Sequence, residues 1–268
     1  MDLQELPLVL FTVFTQTAIG LVLISAAQQW ALAGGPTESK LRFEWIAVLS
    51  LLGAGVLASF FHLGHPLGAV RMITNLGTAW LSREILLVGI FGALVLVTLV
   101  GLVKNAAGKW LITATAVAGL LALVAMSMTY APPSMPAIDN YLPLVFFGLT
   151  AVILGAALAS YFVPADRQQT LVIVLAIGLV TALVVYLVVP GVWLSGGKVM
   201  QLTGQLHLAS PLYWTRIVVG LVLPLAVLAW QKRIPLWLPA LLLIGEFAGR
   251  IIFFSLTVSS AANLGGLY

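Results

Sequence analysis

Two histidines and a carboxylate in one short stretch carry the densest chemistry in this sequence. Ala58 to Leu86 reads ASFFHLGHPLGAVRMITNLGTAWLSREIL and links two long apolar runs. It holds His62, His65, Arg71, Arg83 and Glu84 in a protein that is only 7% charged and has 3 histidines in all. Histidine titrates near neutral pH and exchanges protons through either ring nitrogen. A nearby carboxylate stabilises the imidazolium and relays its proton, so His62 and Glu84 form a candidate proton-accepting pair. Each residue also has a structural reading. His62 and His65 can cap the last carbonyls of the preceding helix. Ser82 can serve as an N-cap, with Glu84 in the first turn of the next helix.

Two further groups follow. HLASPLYWTRI carries His207, Tyr213 and Arg216, where Arg216 either snorkels to the interface or holds a polar head group. GEFAGRIIFF places Glu246 and Arg250 four apart on one helix face, where they are expected to pair. Unpaired, each would cost about 2.5–3.5 kcal/mol at mid-membrane.

The elements that position these residues are transmembrane helices. The sequence is 62% hydrophobic, with a mean hydropathy of +1.13, far above the roughly 45–50% apolar content of soluble domains. Apolar runs of about 20 residues cross the hydrocarbon core. Eight can be drawn: 6–32, 45–61, 84–103, 110–129, 142–163, 171–189, 214–230 and 235–258. The expected fold is therefore all-α, a polytopic bundle of eight transmembrane helices in a single domain over residues 1–268. PGVWLSGG, from Pro190 to Gly197, is expected to open a long loop that runs to Tyr213. No internal repeat is apparent, which weakens a transporter built from inverted halves.

Charge sets the orientation. The loops after the odd-numbered spans hold Lys40, Arg42, Lys104, Lys109, Arg167, Lys232 and Arg233. The other side has Arg71, Arg83, Lys198 and Arg216. The positive-inside rule puts the first group in the cytoplasm, and both termini and the two longest loops outside, in the periplasm of an inner-membrane protein. A net charge of +4 is too small to suggest nucleic acid. Without cysteine the protein cannot ligate an iron–sulfur cluster through thiolates. Its three histidines are badly placed for a bis-histidine haem, so neither group is expected here.

FHLGHP after span two, LSREI opening span three, YWTRI opening span seven and GEFAGRIIFF in span eight occur in that order. With the opening PLVLFTVFTQTAIG, they resemble the membrane-anchor family of dimethyl sulfoxide reductase across essentially the whole sequence. The resemblance implies a haem-free anchor subunit that binds and oxidises menaquinol. It implies two partners: an iron–sulfur electron-transfer subunit and, beyond it, a molybdopterin catalytic subunit. The family's quinol-site histidine falls on His62, and its helix-opening acid on Glu84. His65, Arg83 and Arg216 are candidate quinol-binding residues around that pair, although Arg83 stands where a neutral residue is common and His65 is an additional histidine. Three alternatives stay open: a polysulfide-reductase type of anchor, a proton-coupled transporter, and a passive anchor with structural histidines.

Overall fold

The structure, a computed structural model, describes residues 5–31, 38–61, 75–164 and 167–261. These residues form helices and no strands: α1 (Leu6–Ala31), α2 (Glu38–Phe60), α3 (Trp80–Val103), α4 (Lys109–Thr129), α5 (Leu142–Ala159), α6 (Gln168–Leu194), α7 (Lys198–Ala209), α8 (Pro211–Gln231) and α9 (Leu238–Leu256). All but α7 are long and apolar enough to cross a membrane. The eight expected spans are therefore present. Antiparallel succession brings Lys40, Arg42, Lys104, Lys109, Arg167, Lys232 and Arg233 to one end of the bundle, hereafter called the inner end after the orientation expected from charge. There Lys109 lies 4.2 Å from the Trp30 ring centroid, and Trp30 donates to the Thr113 hydroxyl at 2.8 Å.

Helix α1 is the central element. It packs on α2, α4, α5 and α9, and 72% of its most apolar window is buried, against 22% for the peripheral α3. Small residues permit this packing. A Cβ added to Gly155 of α5 would lie 2.6 Å from the Gly20 carbonyl carbon of α1, so the two backbones touch. The central helix also buries Thr12, Thr15, Gln16, Thr17 and Ser25. Thr12 and Thr17 satisfy their hydroxyls on carbonyls of the preceding turn.

Two sequence expectations give way here. Residues 190–213 are mostly helical rather than a loop. Helix α6 runs through Pro190 to Leu194, and α7 follows after three residues. A proline is tolerated in such helices because neighbouring elements satisfy the freed backbone groups. KVMQLTGQLHLA is itself an amphipathic sequence of good helix formers. Secondly, α3 begins at Trp80 with Ala79 as N-cap, so Ser82 lies inside the helix and Glu84 beyond its first turn.

Helix α8 widens into a π-turn at Val218–Val222, just before Pro224. The proline ring would collide with the carbonyl four residues back, at Gly220, and the wider turn relieves that clash. Gly220 there meets Gly245 of α9: a Cβ at Gly220 would lie 2.7 Å from the Gly245 Cα.

Candidate functional site

At about 1.5 Å of rise per residue, Glu84 sits about 6 Å below the outer end of α3. It is 3% exposed. Its carboxyl meets the Thr129 hydroxyl at the end of α4, a hydroxyl that also reaches the Ala125 carbonyl at 3.0 Å. Its Oε2 has no partner among the described residues. Tyr130 follows Thr129 and lies within electrostatic reach of both Glu84 and Arg250. The Tyr130 ring packs edge-on against Phe254 at 5.1 Å and against Phe147 at 5.9 Å.

A second polar cluster lies deeper, about 7–15 Å from the outer helix ends by the same rise. Arg216 Nη2 and Glu246 Oε1 are 2.6 Å apart, with both side chains buried. Thr150 donates to Glu246 Oε2 at 2.7 Å. Arg250 Nη2 donates to the Thr150 hydroxyl at 2.9 Å and to Gln16 Oε1 at 2.7 Å. The Arg250 guanidinium lies over the Phe147 ring at 4.0 Å, and that of Arg216 lies 5.0 Å from the Tyr186 centroid. Five helices, α1, α5, α6, α8 and α9, thus converge on one carboxylate and two guanidiniums. Glycines make the room: a Cβ at Gly249 would lie 2.7 Å from the Tyr186 hydroxyl and 3.2 Å from Arg216 Cδ.

The expected residues are therefore distributed as follows. His62 and His65 lie outside the described residues, as does Arg71. Glu84 is buried near the start of α3, at the end of the bundle opposite the basic turns. Arg83 donates from Nε to the Leu76 carbonyl and from Nη2 to that of Gly77, both at 2.8 Å, and stacks on Trp80 at 4.3 Å. Arg216 does not snorkel, because Glu246 holds it inside. The expected pairing of Glu246 with Arg250 is replaced by the Arg216–Glu246 ion pair, with Thr150 between Glu246 and Arg250. Spacing along one helix placed the two on one face, but the nearer partner comes from another helix.

Sequence reasoning missed Thr129, Tyr130, Thr150 and Gln16. Gln16 and Thr150 carried a usable signal, being hydrogen-bonding side chains in the middle of apolar spans. Glu44 was also missed. It is 1% exposed in the inner half, against Ser25, whose hydroxyl accepts from Trp45 Nε1 at 3.2 Å.

Outside the spans, α7 packs on α6, α8 and α9 at the outer end of the bundle. His207 Nδ1 lies 2.9 Å from the Thr203 carbonyl, and its ring packs against Trp193 at 4.8 Å. Burial pushes the His207 pKa down to about 4, against an opposing contribution from the Thr203 bond. The unfolded ring therefore takes up a proton at a higher pH than the folded one. Its contribution to stability is constant above about pH 6.5 and falls by roughly 3 kcal/mol as pH drops toward 4. Hydrogen exchange in α7, followed by mass spectrometry, should accelerate over that window in wild type and much less in His207→Gln.

These features define an integral membrane protein of eight apolar spans, with buried ionisable groups concentrated in its outer half. The protein belongs to the DMSO reductase anchor subunit (DmsC) family, whose profile matches residues 1–256. It is thus the membrane anchor of a DMSO reductase-type complex. It is 30% identical over 283 residues to the anaerobic dimethyl sulfoxide reductase chain YnfH of Escherichia coli (strain K12), covering 98% of each sequence. It is also 30% identical over 171 residues to a chain of the anaerobic dimethyl sulfoxide reductase of Haemophilus influenzae, spanning 62% of this sequence and 61% of that one. A shorter match, 50% identical over 50 residues, is to one of the subunits of a sulfite dehydrogenase of Allochromatium vinosum. It spans 19% of this sequence and 15% of that one.

Proposed function

We propose that this anchor oxidises menaquinol at the outer face of the inner membrane and passes the electrons to an iron–sulfur subunit, which feeds a molybdopterin subunit. The carrying observation is Glu84: a carboxyl buried beside an outer helix end, held by Thr129, with one oxygen free of partners among the described residues. Quinol oxidation needs a dry pocket, a proton acceptor within hydrogen-bond reach of the hydroxyl, and a proton exit. In this reading His62 accepts the quinol proton. Glu84 steadies the resulting imidazolium and releases the proton to the outer side. His62 and His65 stand in the sequence between α2 and α3, and this reading assigns them to the quinol site with Glu84. Arg83 fixes the end of that turn through the Leu76 and Gly77 carbonyls.

Two electrons leave with each quinol oxidised, and two protons are released. The protein has no cysteine, so the partner must dock close to the quinol, on the same face. Reporter fusions at Lys104 and Lys232 should read cytoplasmic and a fusion at Tyr268 periplasmic; the reverse pattern would move the site to the other face. The direct functional test uses the purified complex with and without this anchor. Adding a menaquinol analogue should reduce the partner's iron–sulfur clusters, followed by electron paramagnetic resonance, only when the anchor is present. Equal reduction in its absence would contradict the proposal.

A further inference from the structure

A small cavity of about 20 Å³ lies between α5, α6, α7, α8 and α9. Its walls include Tyr186, Trp193, His207, Tyr213, Glu246 and Arg250. It joins the buried ion cluster to α7 at the outer end, and the cluster adjoins the acid of the proposed quinol site, since Tyr130 lies within electrostatic reach of both Arg250 and Glu84.

The chemistry of the walls decides what fits. Arg250 is 4% exposed, and its Nε and Nη1 have no partner among the described residues. Those N–H groups call for an acceptor. The Glu246 carboxylate, held by Arg216 and Thr150, is an acceptor and calls for a donor. His207 supplies a second acceptor: a carbonyl cannot donate, so the bond to Thr203 places the ring proton on Nδ1 and leaves the Nε2 lone pair. An anion would meet the Glu246 carboxylate and this lone pair, and a cation would meet Arg250. Water donates and accepts at once. The volume suits it as well, since a water needs about 10–15 Å³ and two to four polar partners.

We propose that this chamber is a water-binding site that carries protons between the Glu246–Arg250 cluster and the outer surface, with His207 as its outermost exchanging group. The water oxygen accepts from Arg250 and its hydrogens point to Glu246 and His207 Nε2. A proton arriving at that oxygen is balanced by one leaving it, as the O–H directed at Nε2 breaks and an N–H bond forms. His207 then returns that proton to the outer solvent beside α7. Tyr213 holds the wall in place, donating to the Tyr186 carbonyl at 2.6 Å. The outward direction rests on the quinol reading, whereas the water site does not.

The test is hydroxyl-radical footprinting by X-ray radiolysis of the assembled complex in nanodiscs, in water enriched with heavy oxygen. Tyr213 and His207, 2% and 5% exposed, should be oxidised several-fold faster than Phe91, which is fully buried in α3 away from the cavity. Rates equal to that of Phe91 would overturn the water site whatever the quinol activity proves to be. The second arm measures turnover. His207→Phe should slow quinol-driven turnover at least roughly tenfold, as expected when a proton-transferring group is lost, with dye-driven turnover unchanged. His207→Gln keeps a hydrogen-bonding side chain and should fold even where the phenylalanine variant does not, with the same slow turnover. A labelled chamber together with wild-type turnover in both variants would overturn the proton outlet.

Discussion

Replacing Glu84 by Gln is expected to lower quinol-driven turnover by about 10²–10⁴-fold, the usual cost of losing a positioned acid or base. Dye-driven turnover by the partner subunits should stay at the wild-type level. Glutamine has nearly the same shape, so it keeps the contact with Thr129 at the junction of α3 and α4 but cannot take up a proton. The fold tolerates the change because no cation among the described residues pairs with the Glu84 carboxyl. His62→Phe should have an effect of the same size. His65→Phe separates the two histidines and should be the milder of the pair. If Glu84→Gln and His62→Phe both assemble and oxidise quinol at near wild-type rates, these residues only fit helix ends together.

The largest effect on stability is expected at the Arg216–Glu246 pair. Glu246→Ala would leave Arg216 and Arg250 buried with no carboxylate between them. Breaking one side of a buried pair typically costs about 3–5 kcal/mol. The loss should appear as a lower thermal midpoint in detergent and as less complex recovered from membranes. The control is the joint replacement Arg216→Met with Glu246→Leu, which removes both charges while keeping the volume. Such swaps are often close to neutral, so it should recover most of the lost stability. If it is as unstable as Glu246→Ala, the pair is needed for more than mutual compensation. Thr150→Val tests the bridge: it removes the donor to Glu246 and the acceptor for Arg250, and should fall between wild type and Glu246→Ala.

Much of this architecture can be read from the sequence, because the bilayer imposes a simple rule. Each apolar run bounded by charge became a helix, and the seven basic residues of the short turns came together at one end. What failed depended on tertiary partners. Pro190 ends a helix in water but not here. Ser82 has the chemistry of an N-cap, yet α3 begins two residues earlier, at Trp80. Glu246 and Arg250 share a helix face, but the ion pair formed with Arg216, thirty positions away in sequence and adjacent only once α8 and α9 meet at Gly220 and Gly245. Thr129 and Tyr130 had no signature of their own, since a threonine and a tyrosine at a helix end are ordinary. Their importance comes from what faces them.

An apolar cleft of about 370 Å³ between α1, α2 and α5, lined by residues such as Phe14, Leu21, Leu51 and Leu158, offers a contrasting location deeper toward the inner end. Its walls are almost wholly apolar and bring no acid to a hydroxyl. The most direct measurement is therefore photolabelling of the assembled complex with an azido-menaquinone, followed by peptide mapping. Label is expected between Ala58 and Leu86 and around Thr129 and Tyr130, lost when unmodified menaquinone competes. Competable label confined to the cleft, around Leu51 and Leu158, would contradict it.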